Sequence, residues 1–382
     1  MIIPRTILYQ IKKELGKKPK IILLYGPRQS GKTTLIKQIL ADYPEKAVYF
    51  AGEDLRVQEV WSKPDASALK KQIGEAKLVV IDEAHKIENV ATSVKLVYDS
   101  FSPFFILSGS ASFELSQKIS EPLTGRTTTF LLYPFSVLEI PLKPPDISLT
   151  AGIEDYLRFG LYPEVIVSQS EEEKISYLYE LVNTYLYKDV LVFENIRKPK
   201  KVIDLLTLLA LQIGKEVSLN ELASNLSLAK VIVEKYLDVL EKMFVIINLR
   251  GFSRNLRKEI SKTSKYYFVD LGIRNALIRN FNPLHLRNDV GEMFENFCLI
   301  ERIKSLVYKR KAANFYFWRT YDQKEIDLIE EKEGKIFAFE FKWKEKPKKI
   351  TAAEQFLATY PQSEFQIITP QNLEDFLVKS TE

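Results

Sequence analysis

A glycine-rich stretch near the start of the chain has the residue types that hold a phosphate chain. The segment YGPRQSGKTT, residues 25–34, contains Gly26, Gly31, Lys32 and Thr33 in the spacing G-x-x-x-x-G-K-[ST]. Glycines let backbone N–H groups approach phosphate oxygens, and the helix expected to begin near Lys32 adds unpaired N–H donors. Lys32 would then contact the β- and γ-phosphates, and the Thr33 hydroxyl would bind Mg²⁺.

The residues on both sides of this stretch place it between a strand and a helix. The apolar run IILL precedes it, and LIKQILADY follows with helical spacing. This order is the setting that a phosphate-binding loop requires, whereas a chance match in a glycine-containing turn would lack it. We therefore predict nucleotide contacts along the whole loop, through Gly26, Pro27, Arg28, Gln29, Ser30, Gly31, Lys32, Thr33 and Thr34.

A second apolar run ends in two acidic residues that suit a metal ion and a water molecule. KLVVIDEAH, residues 77–85, is typical of a buried strand that stops at Asp82 and Glu83. In a nucleotide hydrolase, Asp82 would hold Mg²⁺ through water beside the nucleotide, and Glu83 would polarise the attacking water. The alternative is a buried parallel strand that happens to run into a charged loop.

Two later residues are weaker candidates for the same site. The strand pattern FFILSG is followed by small hydroxyl residues, of which Ser110 could contact the γ-phosphate or the attacking water. Arg126, in LTGRTTTF, could supply positive charge to a γ-phosphate, in its own subunit or across an interface. An arginine after a glycine is often structural, so this role stays open.

The C-terminal region contains a second group of acidic residues with a lysine. Its pattern predicts a helix, three strands, a helix and a strand, with Asp327 on the second strand and Glu340 and Lys342 on the third. These carboxylates and the lysine could hold Mg²⁺ or Mn²⁺ and a hydroxide against a phosphodiester. Glu295, on the preceding helix, could complete the metal shell. An exposed strand edge that bears an ion pair is the alternative.

The composition is that of a soluble globular protein. Of the 382 residues, 46% are hydrophobic and 27% are charged. No apolar run approaches the ~18 residues that cross a membrane. One cysteine excludes an internal disulfide, and two histidines cannot build a histidine-rich metal site. The N-terminus lacks the cleavage site of a signal peptide, so we expect a cytoplasmic protein without a membrane partner.

The order of the segments predicts the fold class and the domains. Apolar strands alternate with helical segments up to a break with three prolines at residues 140–152. This alternation predicts an α/β fold with a doubly wound parallel sheet, which would bind a nucleotide at the carboxyl ends of its strands. The expected domains are a P-loop ATPase core, a helical lid or connector, a winged helix and a C-terminal α/β domain, at residues 1–150, 151–199, 200–284 and 285–382.

Residues 200–284 have the pattern of a winged helix. Three helical segments precede two strands that flank a basic loop. If this domain binds DNA, Lys230 and Lys235 on the third helix would face the major groove. The loop adds three cations for phosphate contacts, Arg254, Arg257 and Lys258. A net charge of +5 does not by itself indicate nucleic acid, and winged helices also join proteins to proteins.

Several segments occur in an order similar to that of a large archaeal and bacterial group of AAA+-like ATPases. They are GPRQSGKTTL, the strand that runs into DEAH, LSGSASFEL, GRTTTFLLYPFS, FGLYPEV, KDV at 188–190 and KYYFVDLGIRNAL. The resemblance covers nearly the entire chain, and the order of the later segments is more specific than the phosphate-binding loop. It implies an AAA+-like ATPase core, a winged helix and a restriction-endonuclease-like domain that resembles PD-(D/E)xK nucleases.

The resemblance also implies roles for individual residues. ATP and Mg²⁺ would be handled by Lys32, Thr33, Asp82 and Glu83. The nuclease-like motif falls on Glu295, Asp327, Glu340 and Lys342. His85 departs from the usual continuation of the acidic strand and receives no role.

These observations lead to one main hypothesis and two alternatives. The main hypothesis is an ATPase that acts on DNA, in which nucleotide binding moves the winged helix and a C-terminal domain that could cut DNA. The first alternative is a nucleotide-dependent regulatory switch whose C-terminal half only binds a partner protein. The second is transport or helicase translocation, which assembly into a homo-oligomer would favour.

Overall fold

The computed structural model of this chain describes residues 3–109, 123–141, 149–186, 198–253, 264–320, 322–344 and 351–378. The chain divides into two units. The first comprises Met1–Phe135 and Lys242–Phe244, and the second comprises Ser136–Glu241 and Val245–Glu382. Among the described helices, none combines the length and the apolar character that crossing a bilayer requires.

A five-stranded parallel sheet forms the centre of the first unit. Its strands, β1 to β5, are Ile21–Tyr25, Ala47–Ala51, Leu78–Asp82, Phe104–Gly109 and Thr127–Leu131. They lie in the order β2-β3-β4-β1-β5, and all neighbouring pairs are parallel. β1, β3 and β4 are buried along their whole length, which explains why their sequences are almost continuously apolar. The predicted parallel-sheet core is confirmed.

The described helices of the first unit pack around this sheet. They are α1 to α5, at Thr6–Leu15, Lys32–Asp42, Leu55–Trp61, Ala66–Ile73 and Val90–Phe101. The Asp54 and Asp65 side chains accept backbone N–H bonds at the starts of α3 and α4, so both helices have satisfied N-termini. Trp61, at the end of α3, is fully buried and contacts Phe105 of β4 edge to face.

A seven-stranded sheet runs through the second unit. Its strands, β6 to β12, are Glu216–Val217, Ile246–Gly251, Ser264–Phe268, Asn314–Arg319, Glu325–Lys332, Lys335–Phe341 and Glu364–Ile368. They lie in the order β12-β11-β10-β9-β7-β8-β6. The pairs β11–β12 and β7–β9 are parallel, and the other pairs are antiparallel.

Helices precede and separate these strands. The described helices of the second unit, α6 to α15, are Ile153–Phe159, Pro163–Val167, Glu171–Glu180, Pro199–Leu211, Leu219–Leu226, Lys230–Lys242, Leu271–Leu277, Val290–Tyr308, Thr351–Thr359 and Leu373–Val378. The helices α9, α10 and α11 and the β7–β8 hairpin are the three helices and two strands expected at 200–284. The two-residue strand β6, which pairs with β8, was not predicted.

The β7–β8 hairpin and the C-terminal strands belong to one sheet. Arg250 and Gly251 of β7 pair with Tyr316 and Phe317 of β9. From α13 to β12 the elements follow the expected order of helix, three strands, helix and strand. The domain boundary expected at residue 284 therefore lies within a continuous sheet.

The second unit begins at Ser136, before the boundary expected at residue 150. The Ser136 hydroxyl and the Val137 N–H both donate to Glu301 Oε2 on α13, at 2.8 and 2.7 Å. Lys304 Nζ donates to the other Glu301 oxygen at 2.8 Å. These buried hydrogen bonds attach residues 136 and 137 to α13, which explains why the division precedes the proline-containing break.

Candidate functional site

The glycine-rich loop joins β1 to α2 at the carboxyl edge of the first sheet. Gly26 is buried there, and a Cβ atom on it would overlap the Leu132 carbonyl oxygen. Gly31 has φ 94 and directly precedes α2, a conformation that favours glycine. Ser30 Oγ is buried and has no hydrogen-bond partner within the described residues. The loop thus forms a backbone cradle at a helix N-terminus, where N–H groups suit an anion.

Lys32 lies over this cradle. Its ammonium donates to the Gly26 and Pro27 carbonyl oxygens at 3.0 and 2.9 Å. The residue is only 5% exposed. An ammonium held next to backbone amides is a suitable partner for phosphate oxygens.

Thr33 and Asp82 meet where α2 begins and β3 ends. The Thr33 hydroxyl donates to Asp82 Oδ2 at 2.7 Å, and the Tyr49 hydroxyl donates to the same oxygen at 3.1 Å. Burial and the neighbouring Asp82 carboxylate raise the pKa of Tyr49 to about 12, so Tyr49 remains a donor. A hydroxyl and a carboxylate suit Mg²⁺, which keeps several waters and needs few protein ligands.

Glu83 follows with a left-handed backbone, φ 51. Its N–H donates to Ser108 Oγ at 3.0 Å, and its Oε2 lies 3.4 Å from His85 Nδ1. Burial raises the pKa of the Glu83 carboxyl, Lys32 opposes this effect, and Asp82 adds to it. A carboxyl group with a raised pKa beside the cradle is a suitable proton acceptor.

Arg5 is a part of this site that no sequence pattern indicated. Its guanidinium donates to the carbonyl oxygens of Ser30, in the loop, and of Tyr133, after β5, at 3.0 and 2.6 Å. The side chain also lies over the Phe135 ring, 4.4 Å from its centroid. The residue is 6% exposed. In the sequence Arg5 is a single arginine within an apolar N-terminal segment, and this pattern does not reveal its hydrogen-bond partners.

Ser108 is the second residue that the prediction missed. Its hydroxyl donates to Asp82 Oδ1 and accepts the Glu83 N–H, so it joins the two acidic residues. The hydroxyl predicted to act at the end of β4 was Ser110, which lies outside the described residues. A polar residue within the apolar run FFILSG was the signal for Ser108.

Arg126 stands apart from the polar groups described above. Arg126 precedes Thr127, which pairs with Ile21 at the amino end of β1, so it lies at the opposite edge of the sheet from the loop. The five residues of β1 separate the two edges by roughly 16 Å. Arg126 Nε lies 3.0 Å from Asp99 Oδ1. The structure therefore does not bring Arg126 to the cradle of its own subunit, and a role across an interface stays a prediction.

Among the loop residues that the sequence predicted to contact the nucleotide, Arg28 is half-buried and Gln29 and Thr34 are exposed.

In the second unit, α13, β10 and β11 bring the predicted carboxylates together. Burial raises the pKa of Glu295 and of Asp327, and repulsion from Glu340 adds to both shifts. Lys342 Nζ donates to Glu340 Oε1 at 2.6 Å, and the Phe341 N–H donates to Asp327 Oδ2 at 2.8 Å. The sequence pattern thus identified a real cluster of carboxylates with a lysine beside it.

Strand β8 adds two side chains to this cluster that were not predicted. The Tyr267 hydroxyl donates to Glu295 Oε1 at 2.6 Å. Lys265 Nζ lies 3.6 Å from the same oxygen and forms an ion pair with Glu325. These residues lie in the segment expected to be a winged helix, and only the tertiary fold brings them to the carboxylates.

The cluster fits a metal ion less fully than the sequence suggested. In the ranges that the structure describes, no group of three or more His, Cys, Asp or Glu side chains is arranged to hold a metal ion. Glu295 is already bonded to Tyr267 and paired with Lys265. Glu340 Oε2, in contrast, is buried without a hydrogen-bond partner in the described part of the chain. Both glutamates are thus already paired with a lysine, Glu295 with Lys265 and Glu340 with Lys342.

The helix expected to face DNA, α11, presents a mixed surface. Lys230 and Lys235 are exposed, and Lys230 Nζ lies 3.9 Å from Glu234 Oε1. Val231 and Ile232 are 73% and 39% exposed. The predicted loop cations lie outside the described residues; they are Arg254, Arg257 and Lys258.

Comparison with protein families identifies the class of domain that contains the first site. The family model for an AAA domain matches residues 18–141, which include the loop, Asp82 and Glu83. Two domains of unknown function, DUF8612 and DUF4143, match residues 150–284 and 290–380. The first match supports a P-loop ATPase family for that part of the chain.

Comparisons with individual proteins extend this result. An uncharacterised protein of Mycobacterium tuberculosis is 28% identical over 344 residues, an alignment that covers 88% of this chain and 73% of that protein. An uncharacterised protein of Methanocaldococcus jannaschii is 25% identical over 356 residues, covering 88% and 78%. The structure of a Walker-type ATPase of Pyrococcus abyssi superposes with a TM-score of 0.51 at 17% identity, over 72% of this chain and 96% of that one. This similarity supports the P-loop ATPase fold.

Proposed function

We propose that this protein binds and hydrolyses ATP with Mg²⁺ and that it acts on DNA. The observation that supports hydrolysis is the meeting of Lys32, Thr33 and Asp82 at one edge of a parallel sheet, with the Thr33 hydroxyl 2.7 Å from Asp82. Glu83 follows directly on the same edge. Phosphoryl transfer depends mainly on positioning and charge, and these residues supply both.

Each residue has a distinct role in this proposal. The loop binds the phosphates through its N–H groups, and Lys32 exchanges its loop carbonyls for phosphate oxygens. Thr33 and Asp82 hold Mg²⁺, which when bound neutralises charge on the phosphate oxygens. Glu83 orients the water and accepts its proton, while Ser108 keeps Asp82 and Glu83 in place.

The replacement Lys32→Ala tests this proposal. We expect the rate of ATP hydrolysis to fall by about a hundredfold or more, because a charge aimed at the transferring phosphate is lost. Circular dichroism should show an unchanged fold. The matched control is Lys37→Ala, an exposed lysine on the same helix. Hydrolysis at the parental rate in Lys32→Ala would show that the site is elsewhere.

An across-interface role for Arg126 requires a neighbouring copy. Because Arg126 lies at the far edge of its own sheet, it can reach a γ-phosphate only in another subunit. A homo-oligomer in the presence of ATP, detected by sedimentation, together with loss of hydrolysis in Arg126→Ala, would support this role. A monomer that hydrolyses ATP equally well with and without Arg126 would contradict it.

Association with DNA is supported by the distribution of cations. Lys230 and Lys235 are both exposed on α11. We expect affinity for a labelled duplex to fall steeply between low and moderate salt, and the replacement of both lysines by glutamine to reduce the salt dependence. Lys71→Gln, an exposed lysine of the first unit, is the control. No binding at low salt would contradict DNA association.

Metal-dependent DNA cleavage is a finer part of this proposal. It is supported by Glu340 and Asp327 on adjacent strands, with Lys342 bonded to Glu340. Glu340→Gln should abolish cleavage of duplex or branched DNA in Mg²⁺ or Mn²⁺, whereas Glu364→Gln, at an exposed position of β12, should not. Cleavage that survives Glu340→Gln would come from another site or a contaminant.

A regulatory switch that binds a partner protein is the second candidate function. Exposed Val231 and Ile232 on α11 favour it, because adjacent apolar side chains on a surface often mark protein contacts. The DNA titration distinguishes the two functions, since a switch of this kind would hydrolyse ATP without binding DNA at low salt.

A further inference from the structure

A buried lysine lies inside the carboxylate cluster of the second unit. We infer that Lys265 is a built-in cation of this cluster, which pairs with Glu295 and competes with a divalent ion held by Asp327 and Glu340. The inference deepens the proposed metal-dependent site and rests on it for the identity of the ion. In this inference Glu295, which the sequence predicted as a metal ligand, is the counter-ion of Lys265.

The surroundings of Lys265 keep its ammonium in the cluster. The side chain is 1% exposed, and Nζ lies 3.6 Å from Glu295 Oε1 and in an ion pair with Glu325. Nζ also lies 5.4 Å from the centroid of the Phe317 ring. A buried ammonium is costly without such partners, so these contacts hold the charge in place.

One oxygen of Glu295 is held by two neighbouring side chains. Its Oε1 accepts the Tyr267 hydroxyl at 2.6 Å and faces Lys265. Lys265 and Tyr267 are two residues apart on β8, so both side chains lie on the same face of the sheet. One strand therefore supplies both groups that engage this carboxylate.

Glu340 is the better metal ligand because its lysine partner, Lys342, is partly exposed and can move away, whereas the lysine paired with Glu295 is buried. The residue is 7% exposed, and its buried Oε2 has no hydrogen-bond partner among the residues that the structure describes. Its Oε1 accepts from Lys342, whose side chain is 41% exposed, so the cluster reaches solvent at this end. Asp327 lies on the neighbouring strand β10 and bonds the Phe341 N–H through Oδ2.

A fixed positive charge among carboxylates weakens the binding of a second cation. The effect is strong where burial limits screening by water. Removal of the Lys265 charge should therefore raise the affinity of the cluster for a divalent ion, while loss of the Glu295 charge should lower it less than loss of a metal ligand would.

Manganese titrations of the nucleotide-free full chain test this inference. Free Mn²⁺ is measured by electron paramagnetic resonance in the Asp82→Asn background, which removes the carboxylate of the other predicted metal site. We expect Lys265→Met to bind Mn²⁺ at least about tenfold more tightly than the background protein, and Lys265→Arg, which keeps the charge, to match it. A folded Lys265→Met protein that binds no more tightly would overturn the inference.

A second pair of variants covers the case in which Lys265→Met does not fold. Glu295→Gln should lower Mn²⁺ affinity only through the loss of one nearby charge, whereas Glu340→Gln, which also removes a ligand, should lower it about tenfold further or more. Equal losses in both variants would make Glu295 a ligand and contradict the inference. Because these titrations measure Mn²⁺ binding and not DNA cleavage, a protein that binds Mn²⁺ as expected but does not cleave DNA would contradict the proposed cleavage and leave this inference intact.

Discussion

Arg5 donates a hydrogen bond from its buried guanidinium to the carbonyl oxygen of Ser30 in the phosphate loop, at 3.0 Å. A second nitrogen of Arg5 donates to the Tyr133 carbonyl after β5. The planar guanidinium can bond two carbonyls in fixed directions, so it joins the loop backbone to the end of a neighbouring strand. The shape of the loop therefore depends on a residue far outside the glycine-rich pattern.

The replacement Arg5→Lys should weaken nucleotide binding. Lysine keeps the charge but cannot reproduce the two-pronged contact, and an unpaired buried carbonyl costs about 1–3 kcal/mol. We expect an ATP affinity about tenfold lower by calorimetry. Lys13→Ala, on the exposed face of α1, is the control. If Arg5→Lys lowers the melting temperature but leaves ATP affinity unchanged, Arg5 supports the fold only.

The replacement Ser108→Ala should lower the rate of hydrolysis more than it affects ATP binding. Asp82 would lose a donor and the Glu83 N–H would lose its acceptor, at a cost of about 1–2 kcal/mol or roughly tenfold in kcat. Steady-state kinetics should show a KM close to that of the parent protein. Ser100→Ala, exposed on α5, is the control, and Ser108→Thr should restore part of the rate. An unchanged kcat would remove Ser108 from the site.

The replacement Glu83→Gln should separate hydrolysis from binding and remove a pH dependence. Because burial raises the pKa of Glu83, its active carboxylate form is lost at a higher pH than for an ordinary glutamate, so kcat should rise as pH rises through this pKa. In Glu83→Gln, kcat should fall by about a hundredfold or more with ATP affinity retained, and the acidic limb should vanish. Glu88→Gln, exposed nearby, should keep the parental profile. An acidic limb that persists in Glu83→Gln would assign it to another group.

Asp289 should make the second unit sensitive to acid. Burial alone would raise the pKa of Asp289, but hydrogen bonds from Arg287 and Arg274 lower it from 3.8 to about 2. A folded pKa below the unfolded one stabilises the protein above the unfolded value, and this stabilisation is lost as pH falls from about 4 to about 2. It amounts to about 2 kcal/mol.

Urea unfolding at several pH values measures this contribution. Asp289→Asn should lower the free energy of unfolding of the second unit by about 2 kcal/mol near neutral pH, and the difference from the parent protein should disappear at about pH 2. The exposed Asp322→Asn is the control. A difference between Asp289→Asn and the parent that is the same at all pH values would exclude the ionised carboxylate as its cause.

Local patterns predicted the features that depend on neighbouring residues. The loop from Gly26 to Thr34 requires particular backbone angles and a following helix, and both leave a mark within ten residues of sequence. The parallel strands of the first unit are buried on both faces, so their apolar runs are visible without tertiary information.

Residues that act through long-range contacts could not be predicted in this way. Arg5 reaches Ser30 and Tyr133, and Lys265 reaches Glu295 and Glu325, across intervals that no periodicity spans. For Arg126 the sequence left open a role in its own subunit or across an interface, because a short motif does not reveal which edge of a sheet an arginine occupies. Only the pairing of Thr127 with Ile21 shows that Arg126 lies at the edge opposite the loop.

The pairing of β7 with β9 has a practical meaning for dissecting this protein. A fragment that begins at residue 285 would lack β7, the strand that pairs with β9. The N–H and C=O groups of β9 that pair with Arg250 and Gly251 in the full chain would then face water along an unpaired strand edge. Open strands of this kind recruit other chains, so such a fragment should aggregate. A fragment that begins at Ser136 keeps the covering hairpin and the hydrogen bonds from residues 136 and 137 to α13, so it is the better starting point for studying the C-terminal chemistry in isolation.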